Sequence, residues 1–167
     1  MRYLNKIVFI NSAAIRYSEV QLDGNIHLIG TQGVGKSTIL RAILFFYNAD
    51  TQRLGIPVEK KSYQDYYFPY ADSSIIYEVA REDGWFTVLS YKTMNRICYR
   101  FIASPYRPDL FIDEEGAPYP SDRIRSVLDK NGIKYSGAIS TYEEYRNILY
   151  GNSDNKRDYS CYSLMES

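Results

Sequence analysis

Apolar residues recur along this chain with two different periods. Tyr3 to Ile10 (YLNKIVFI) and Ile15 to Leu22 (IRYSEVQL) roughly alternate and are rich in β-branched and aromatic side chains, so both predict strands, joined by a turn at Asn11 to Ala14. Asp23-Gly24-Asn25 signals a second turn. Ile26 to Ile29 (IHLI) follows as a short apolar run, the pattern of a buried strand, and leads straight into Gly30. His27, the only histidine, sits inside that run and reads as a core or edge residue rather than a catalytic base. From Lys36 to Tyr47 (KSTILRAILFFY) apolar residues at 39, 40, 43, 44, 46 and 47 occupy most of a helical surface, which predicts a central helix buried on more than one side.

Asn48 to Asp72 shows no clear period. It carries the charge cluster Glu59, Lys60 and Lys61 and then the aromatic group Tyr63, Tyr66, Tyr67, Phe68 and Tyr70. A loop of that length is usually functional. Ser74 to Arg81 and Trp85 to Lys92 flank Glu82-Asp83-Gly84, a hairpin turn in which glycine supplies a positive φ, and Ile97 to Ala103 completes an antiparallel meander. Pro105, Pro108, Pro118 and Pro120 then interrupt a segment holding Leu110-Phe111-Ile112. Ser121 to Lys130 has helical spacing with Gly132 as C-cap, and Thr141-x-x-Glu144 is a capping box that opens a helix to Tyr150. Residues 1–150 thus read as one domain and 151–167 as a polar tail expected to fray.

Composition narrows the function classes. Twenty Lys plus Arg balance twenty Asp plus Glu, so a generally basic protein that coats nucleic acid is excluded, although a local basic patch is not. The two cysteines, Cys98 and Cys161, form neither a CxxC nor a Cys/His cluster, which signals no disulfide framework or zinc site and fits a reduced, cytoplasmic setting. The N-terminal segment lacks an apolar run of transmembrane or signal length, so no membrane partner is expected. Eighteen tyrosines raise aromatics to 16% and imply a large half-wet surface that buries rings and solvates hydroxyls.

The chemistry concentrates in Gly30-Thr31-Gln32-Gly33-Val34-Gly35-Lys36-Ser37, which fits GxxxxGK[ST] after a predicted buried strand and at the start of a predicted buried helix. Glycines let such a loop turn its backbone N–H groups inward as an anion nest, capped by the positive end of the helix dipole. Lys36 would bring a mobile charge to the β and γ phosphates and is the one catalytic candidate. Ser37 would give its hydroxyl to Mg²⁺, and Thr38 would donate to the α phosphate. The plain alternative is a glycine-rich turn without ligand, but a turn alone does not require Lys-Ser at the helix start. Leu110 to Glu114 (LFIDE) imitates a strand that ends in a metal-holding Asp113 and a water-activating Glu114, which would make a complete, compact stand-alone NTPase or phosphotransferase. Only three apolar residues precede Asp113 and Pro108 sits at the entry, so the favoured reading is an acidic turn at the end of an antiparallel strand. Tyr63 to Tyr70 beside Lys60 and Lys61 suit either a stacking surface for DNA or ordinary packing.

Two strands, a third ending in GTQGVGKST, the helix ILRAILFFY and an antiparallel meander together resemble the N-terminal half of the ABC-type ATPase heads of the SMC superfamily, including its MukB-like and RecF-like branches and related bacterial defence ATPases. The similarity spans residues 1–105 in order of elements, and only the phosphate loop is specific as sequence. Asn11 and Gly30 to Thr38 match, with Gln32 in place of the usual loop Asn. The resemblance implies an α/β P-loop NTPase fold, an ABC-ATPase-like half-head with a mixed sheet and an antiparallel β meander. It implies ATP and Mg²⁺ as ligands, with Arg16 and Tyr17 of the second strand as adenine-site candidates, and Arg53 as a solvated residue or a contact to the γ phosphate or DNA. It also implies a C-terminal ATPase lobe, a second head joined in an ATP-dependent dimer, DNA and accessory subunits as partners. No Ser-Gly-Gly signature occurs and no glutamine follows Gln64, so the chain resembles half a head. The expectation is a fragment, inactive alone, of a longer protein that acts on DNA in chromosome organisation, repair or defence.

Overall fold

β-branched and aromatic runs form five strands in the computed structural model, which describes residues 1–22, 35–48, 63–152 and 159–166. They are β1 (Tyr3–Ser12), β2 (Ile15–Gln21), β3 (Ser74–Arg81), β4 (Gly84–Thr93) and β5 (Arg96–Ile102), in the spatial order β2-β1-β3-β4-β5. All four pairings are antiparallel, so among the described residues the sheet is antiparallel rather than mixed. The expected strand over 26–29, residues 30–34 of the phosphate loop, Arg53 and the Glu59 to Lys61 cluster lie outside the described residues. Among the described residues four α-helices accompany the sheet: α1 (Lys36–Asn48), α2 (Tyr63–Tyr67), α3 (Ser121–Lys130) and α4 (Tyr142–Leu149).

The pleat sends successive side chains to opposite faces, and both faces here are covered. Ile7, Phe9, Ile75, Tyr77, Val79, Phe86, Val88, Tyr99 and Phe101 face one layer, built from α1, α2, α4 and Tyr162. Val8, Ile10, Ile76, Leu89 and Ile102 face the other, built from Tyr106, Leu110, Phe111 and α3 through Ile124 and Leu128. That two-sided burial explains why β3 reads as a nearly unbroken apolar run instead of alternating. Aromatic rings fill the first layer: Phe101 lies 5.7 Å from Tyr145 and 5.4 Å from Tyr162, and Tyr99 stacks on Tyr145 at 4.3 Å between centroids.

Local chemistry sets the ends of the elements. The β3–β4 hairpin closes at Arg81 and Gly84, whose φ of 145° admits little but glycine. α3 ends where Gly132, at φ 66°, lets its own N–H reach the Asp129 carbonyl and that of Ile133 reach the Leu128 carbonyl. The Thr141 hydroxyl accepts from the Glu144 N–H at 3.2 Å and opens α4 as its sequence predicts. The outer edge of β5 is occupied by residues 134–139, with Tyr99 and Ile139 exchanging backbone bonds of 2.9 and 2.8 Å. Buried Arg100 fastens the same segment by donating to the Ser136 carbonyl at 2.6 Å and lying over the Tyr135 ring.

Two expectations are corrected. Residues Leu110 to Ile112 form no strand: a 3-10 turn over Pro108–Leu110 drives Leu110 and Phe111 into the second layer, and Ile112 makes only an isolated bridge with Pro118. The tail does not fray over 159–166. Tyr162 is fully buried, and Arg81 and Arg2 donate to the Ser160 and Ser163 carbonyls at 2.7 and 3.1 Å. Among the described residues no helix is long and apolar enough to cross a membrane.

Phe101→Ala is expected to cost about 3–5 kcal/mol, whereas Thr141→Ala, which removes one cap, costs about 1 kcal/mol; urea denaturation separates the two. Burial pushes the Tyr63, Tyr77 and Tyr145 phenols well above their ordinary range, and burial is likewise the main cause that lifts Tyr17 to about 12. Because unfolded tyrosines lose their protons first, at about pH 10, stability is complete below that pH. It falls as pH rises from about 10, and Tyr17's contribution is gone by about 12, which urea midpoints across the alkaline range will read.

Candidate functional site

α1 starts where Gly35 hands its carbonyl to the Ile39 N–H at 3.1 Å, the first bond of the helix. Ile39, Ala42, Ile43, Phe45 and Phe46 anchor α1 on the first face of the sheet, which fixes where its N-terminus emerges. Lys36 and Ser37 are exposed there, and Thr38 is buried beside them. The first turn of α1 carries no acidic residue, so no carboxylate of its own offsets the positive end of its dipole. A Cβ on Gly35 would meet, among the described residues, only the Thr38 hydroxyl, at 3.9 Å.

Thr38 is gripped twice by α2. Its hydroxyl lies 3.0 Å from the Tyr66 hydroxyl, and its carbonyl accepts from the Tyr67 hydroxyl at 2.7 Å. The backbone carbonyl of Tyr66 also accepts from the Ala13 N–H at 3.2 Å, so a single residue ties α1 to the β1–β2 hairpin. That hairpin is strained: Asn11, Ala13 and Ala14 have φ of 46°, 52° and 62° without being glycine. Ser12 pairs with Ile15, so Ala13 and Ala14 are the two central residues of a tight turn that demands positive φ at both. Between hairpin and α2 opens a cleft of about 490 Å³ lined by Asn11, Ile15, Arg16, Asp65, Tyr66 and Tyr70.

The remaining sequence candidates separate. Arg16 and Tyr17 are neighbours on β2, and the pleat divides them. Arg16 lines the cleft beside α2, whereas the Tyr17 hydroxyl lies 2.7 Å from that of Tyr106 and donates to Glu19 at 2.9 Å on the second face. The structure does not bring Tyr17 to α1. Asp113 is likewise remote, in a turn where its carboxylate accepts from the N–H groups of Glu115 and Ala117 at 2.8 and 2.9 Å. Phe111, two residues before it, stacks on Tyr106 in the second layer, so the sheet stands between Asp113-Glu114 and Ser37.

The tyrosine group divides between core and cleft. Tyr63 and Tyr67, four apart, are buried against Phe45 and each other, with ring centroids 4.5 Å (Tyr63 to Phe45) and 4.3 Å (Tyr63 to Tyr67) apart. Tyr66 and Tyr70, also four apart, are 36% and 63% exposed and face the cleft. Sequence reasoning assigned the group to DNA or to packing and missed the bond from Tyr66 to Thr38. The signal available was the i, i+4 spacing of Tyr63 and Tyr67, while Tyr70 lies beyond the end of α2.

A family described as "Protein of unknown function (DUF3584)" matches residues 11–162. Comparison with curated proteins finds no match.

Removing either hydroxyl from the Thr38–Tyr66 pair is expected to cost about 1 kcal/mol. In a double-mutant cycle, Thr38→Ala and Tyr66→Phe together should cost less than the sum of the two, and urea denaturation of the four proteins measures the difference.

Proposed function

The chain belongs to the DUF3584 family, and we propose that it is the ATP-binding N-terminal lobe of an SMC-like ATPase that acts on DNA and hydrolyses ATP only together with a C-terminal lobe. The carrying observation is the start of α1: GxxxxGKS ends on an exposed Lys36 and Ser37 at a helix N-terminus without a first-turn acid. Helix N–H groups, the positive end of a dipole and a neighbouring ammonium are what a polyphosphate needs. In this reading Lys36 neutralises the β and γ phosphates, and Ser37 offers its hydroxyl to Mg²⁺, which supplies further charge neutralisation on the phosphates. The P-loop NTPase fold and its half-head form belong to the same proposal. The family name is associated with MukB/RecF-like SMC proteins, which supports it.

Dependence on a further lobe has its own support. Leu40, Leu44 and Tyr47 recur at i, i+4 and i+7 on α1 and stay exposed, at 47%, 37% and 36%, where the sequence pattern predicted a helix buried on more than one side. An apolar stripe next to Lys36 suits a partner surface. Asp113 and Glu114, on which a compact stand-alone NTPase would depend, lie across the sheet from α1 and speak against that alternative. DNA, accessory subunits, the second head and a role in chromosome organisation, repair or defence complete the proposal.

Calorimetric titration with MgATP tests it. Wild-type binding that Lys36→Ala weakens by about tenfold or more, with no turnover by the chain alone, is the expected outcome. Turnover that depends on Lys36 and scales linearly with this chain alone overturns the half-head reading, and absence of binding overturns the nucleotide reading. Gly35→Ala, whose Cβ meets only the Thr38 hydroxyl among the described residues, is expected to keep the wild-type urea midpoint while losing ATP affinity by crowding the proposed phosphate nest.

A further inference from the structure

A pocket of about 230 Å³ opens on the second face of the sheet, across from α1, between the turn that precedes β3 and the N-terminus of α3. Leu89, Phe111, Pro118 and Ile124 give it apolar walls, and the half-buried Tyr91 and Tyr119 line it beside them. A cavity of ~150 Å³ already holds benzene, so the space suits a single ring with a short arm. The phosphate reading of α1 neither uses this pocket nor depends on it.

Polar atoms around the apolar space select what the arm carries. Ser74 is only 9% exposed, lines the pocket, and its hydroxyl has no hydrogen-bond partner among the described residues. A buried hydroxyl left unpaired is destabilising, and a ligand that engages it removes that penalty. Tyr91 stands opposite Ser74 in the β3–β4 ladder, and its hydroxyl is likewise without a partner among the described residues. Asp72 is the one charged residue among those lining the pocket, and its carboxylate makes no ion pair or hydrogen bond among the described residues. The turn from Tyr70 to Ser73 holds it at the rim: the Ser73 N–H donates to the Tyr70 carbonyl at 3.1 Å, and the Tyr70 N–H to the Ser73 hydroxyl at 2.9 Å. The positive end of the α3 dipole does not reverse the sign of the pocket, because Asp122 stands in the first turn of that helix.

An anion would meet Asp72, and a neutral ring would leave the carboxylate unserved. We infer that this pocket binds a small primary amine carried on one aromatic ring, with the ring against Leu89, Phe111 and Ile124 and the ammonium held by the Asp72 carboxylate and the Ser74 hydroxyl. An ammonium has three N–H donors and no acceptor. Carboxylate and hydroxyl oxygens both accept from it, and the nearby Tyr91 ring favours a cation over its face.

Three probes of one size and different charge test the inference: 2-phenylethylamine, 2-phenylethanol and phenylacetate, each titrated into the 15N-labelled chain and followed by amide chemical shifts. The amine is expected to move the amides of Ser74, Tyr91 and Ile124 saturably and to bind about fivefold more tightly than the alcohol, with phenylacetate the weakest. Asp72→Asn, whose carboxylate holds nothing in the fold, is expected to keep the wild-type urea midpoint and to bring the amine down to the affinity of the alcohol. Ser74→Ala is expected to weaken the amine about threefold. Equal affinity for amine and alcohol, tighter binding of phenylacetate, amine-induced shifts confined to other residues, or an amine affinity unchanged in Asp72→Asn would each overturn the inference, and none of them bears on the phosphate reading.

Discussion

A sheet whose central strands are apolar on both faces must be covered twice, and the arrangement of this protein follows from that requirement. β1 and β3 carry Ile7, Phe9, Ile75 and Tyr77 to one side and Val8, Ile10 and Ile76 to the other, all of them buried. At ~1.5–3 kcal/mol for each large apolar side chain, neither set can be left to water. α1, α2 and α4 close the first face, and the Pro-interrupted stretch with α3 closes the second. The site at the head of α1 is therefore positioned by the first layer alone, and everything after Ser104 up to α3 acts on it only through the sheet.

Several polar groups that the two coverings bury are satisfied at the joints between layers, although the Tyr63 and Tyr162 hydroxyls, the Ser12 hydroxyl and Arg100 Nε are buried without a partner among the described residues. Glu78 is buried on β3, and its carboxylate accepts from the Asn5 amide and the Tyr106 N–H at 2.7 Å each, which pins the turn after β5 to the sheet. Tyrosine does the same on the first face, where its ring fills the layer and its hydroxyl closes a helix carbonyl. Tyr67 takes that of Thr38, Tyr77 that of Ala42 at 2.9 Å, and Tyr145 that of Phe46. These three carbonyls lie four residues apart along α1, so the helix is held down one side by phenols from three different elements. The abundance of tyrosine thus has a structural origin on this face, whereas Tyr66 and Tyr70 line the cleft.

Much of the fold was legible because local rules and global burial agree. The strand bounds at Ser74 and Arg81, the glycine at Gly84, the Gly132 stop and the Thr141 cap each follow from chemistry confined to a few neighbouring residues. The misread segments are those where one or two side chains act at long range. Leu110-Phe111-Ile112 has the composition of a strand but serves as a plug, and a short apolar run carries no periodicity to distinguish the two. Tyr162 sits in a polar stretch with no pattern around it, yet its single ring meets Phe86 and Phe101 and keeps the tail on the core. At the site, the exposed Lys36 and Ser37 were legible from the motif, whereas the division of Arg16 from Tyr17 needed the register of β2 against β1.

The grip of α2 on Thr38 links the site to the rest of the first layer. Tyr66 and Tyr67 hold its hydroxyl and its carbonyl, and Tyr67 stacks with Tyr63, which stacks in turn on Phe45 of α1 itself. The first turn of α1 is thereby braced against a helix that packs on the same α1 one and a half to two turns further on. A ligand that takes the Thr38 hydroxyl for itself must either share it with Tyr66 or displace it. A hydroxyl has one proton to donate and two lone pairs, so sharing is possible if Thr38 donates to the ligand while Tyr66 donates to Thr38. Both O–H groups reorient about their C–O bonds, so a pair that begins with Thr38 donating to Tyr66 reaches the same arrangement by rotation alone. The two hydroxyls 3.0 Å apart therefore let the head of α1 be occupied while α2 keeps its grip on Thr38.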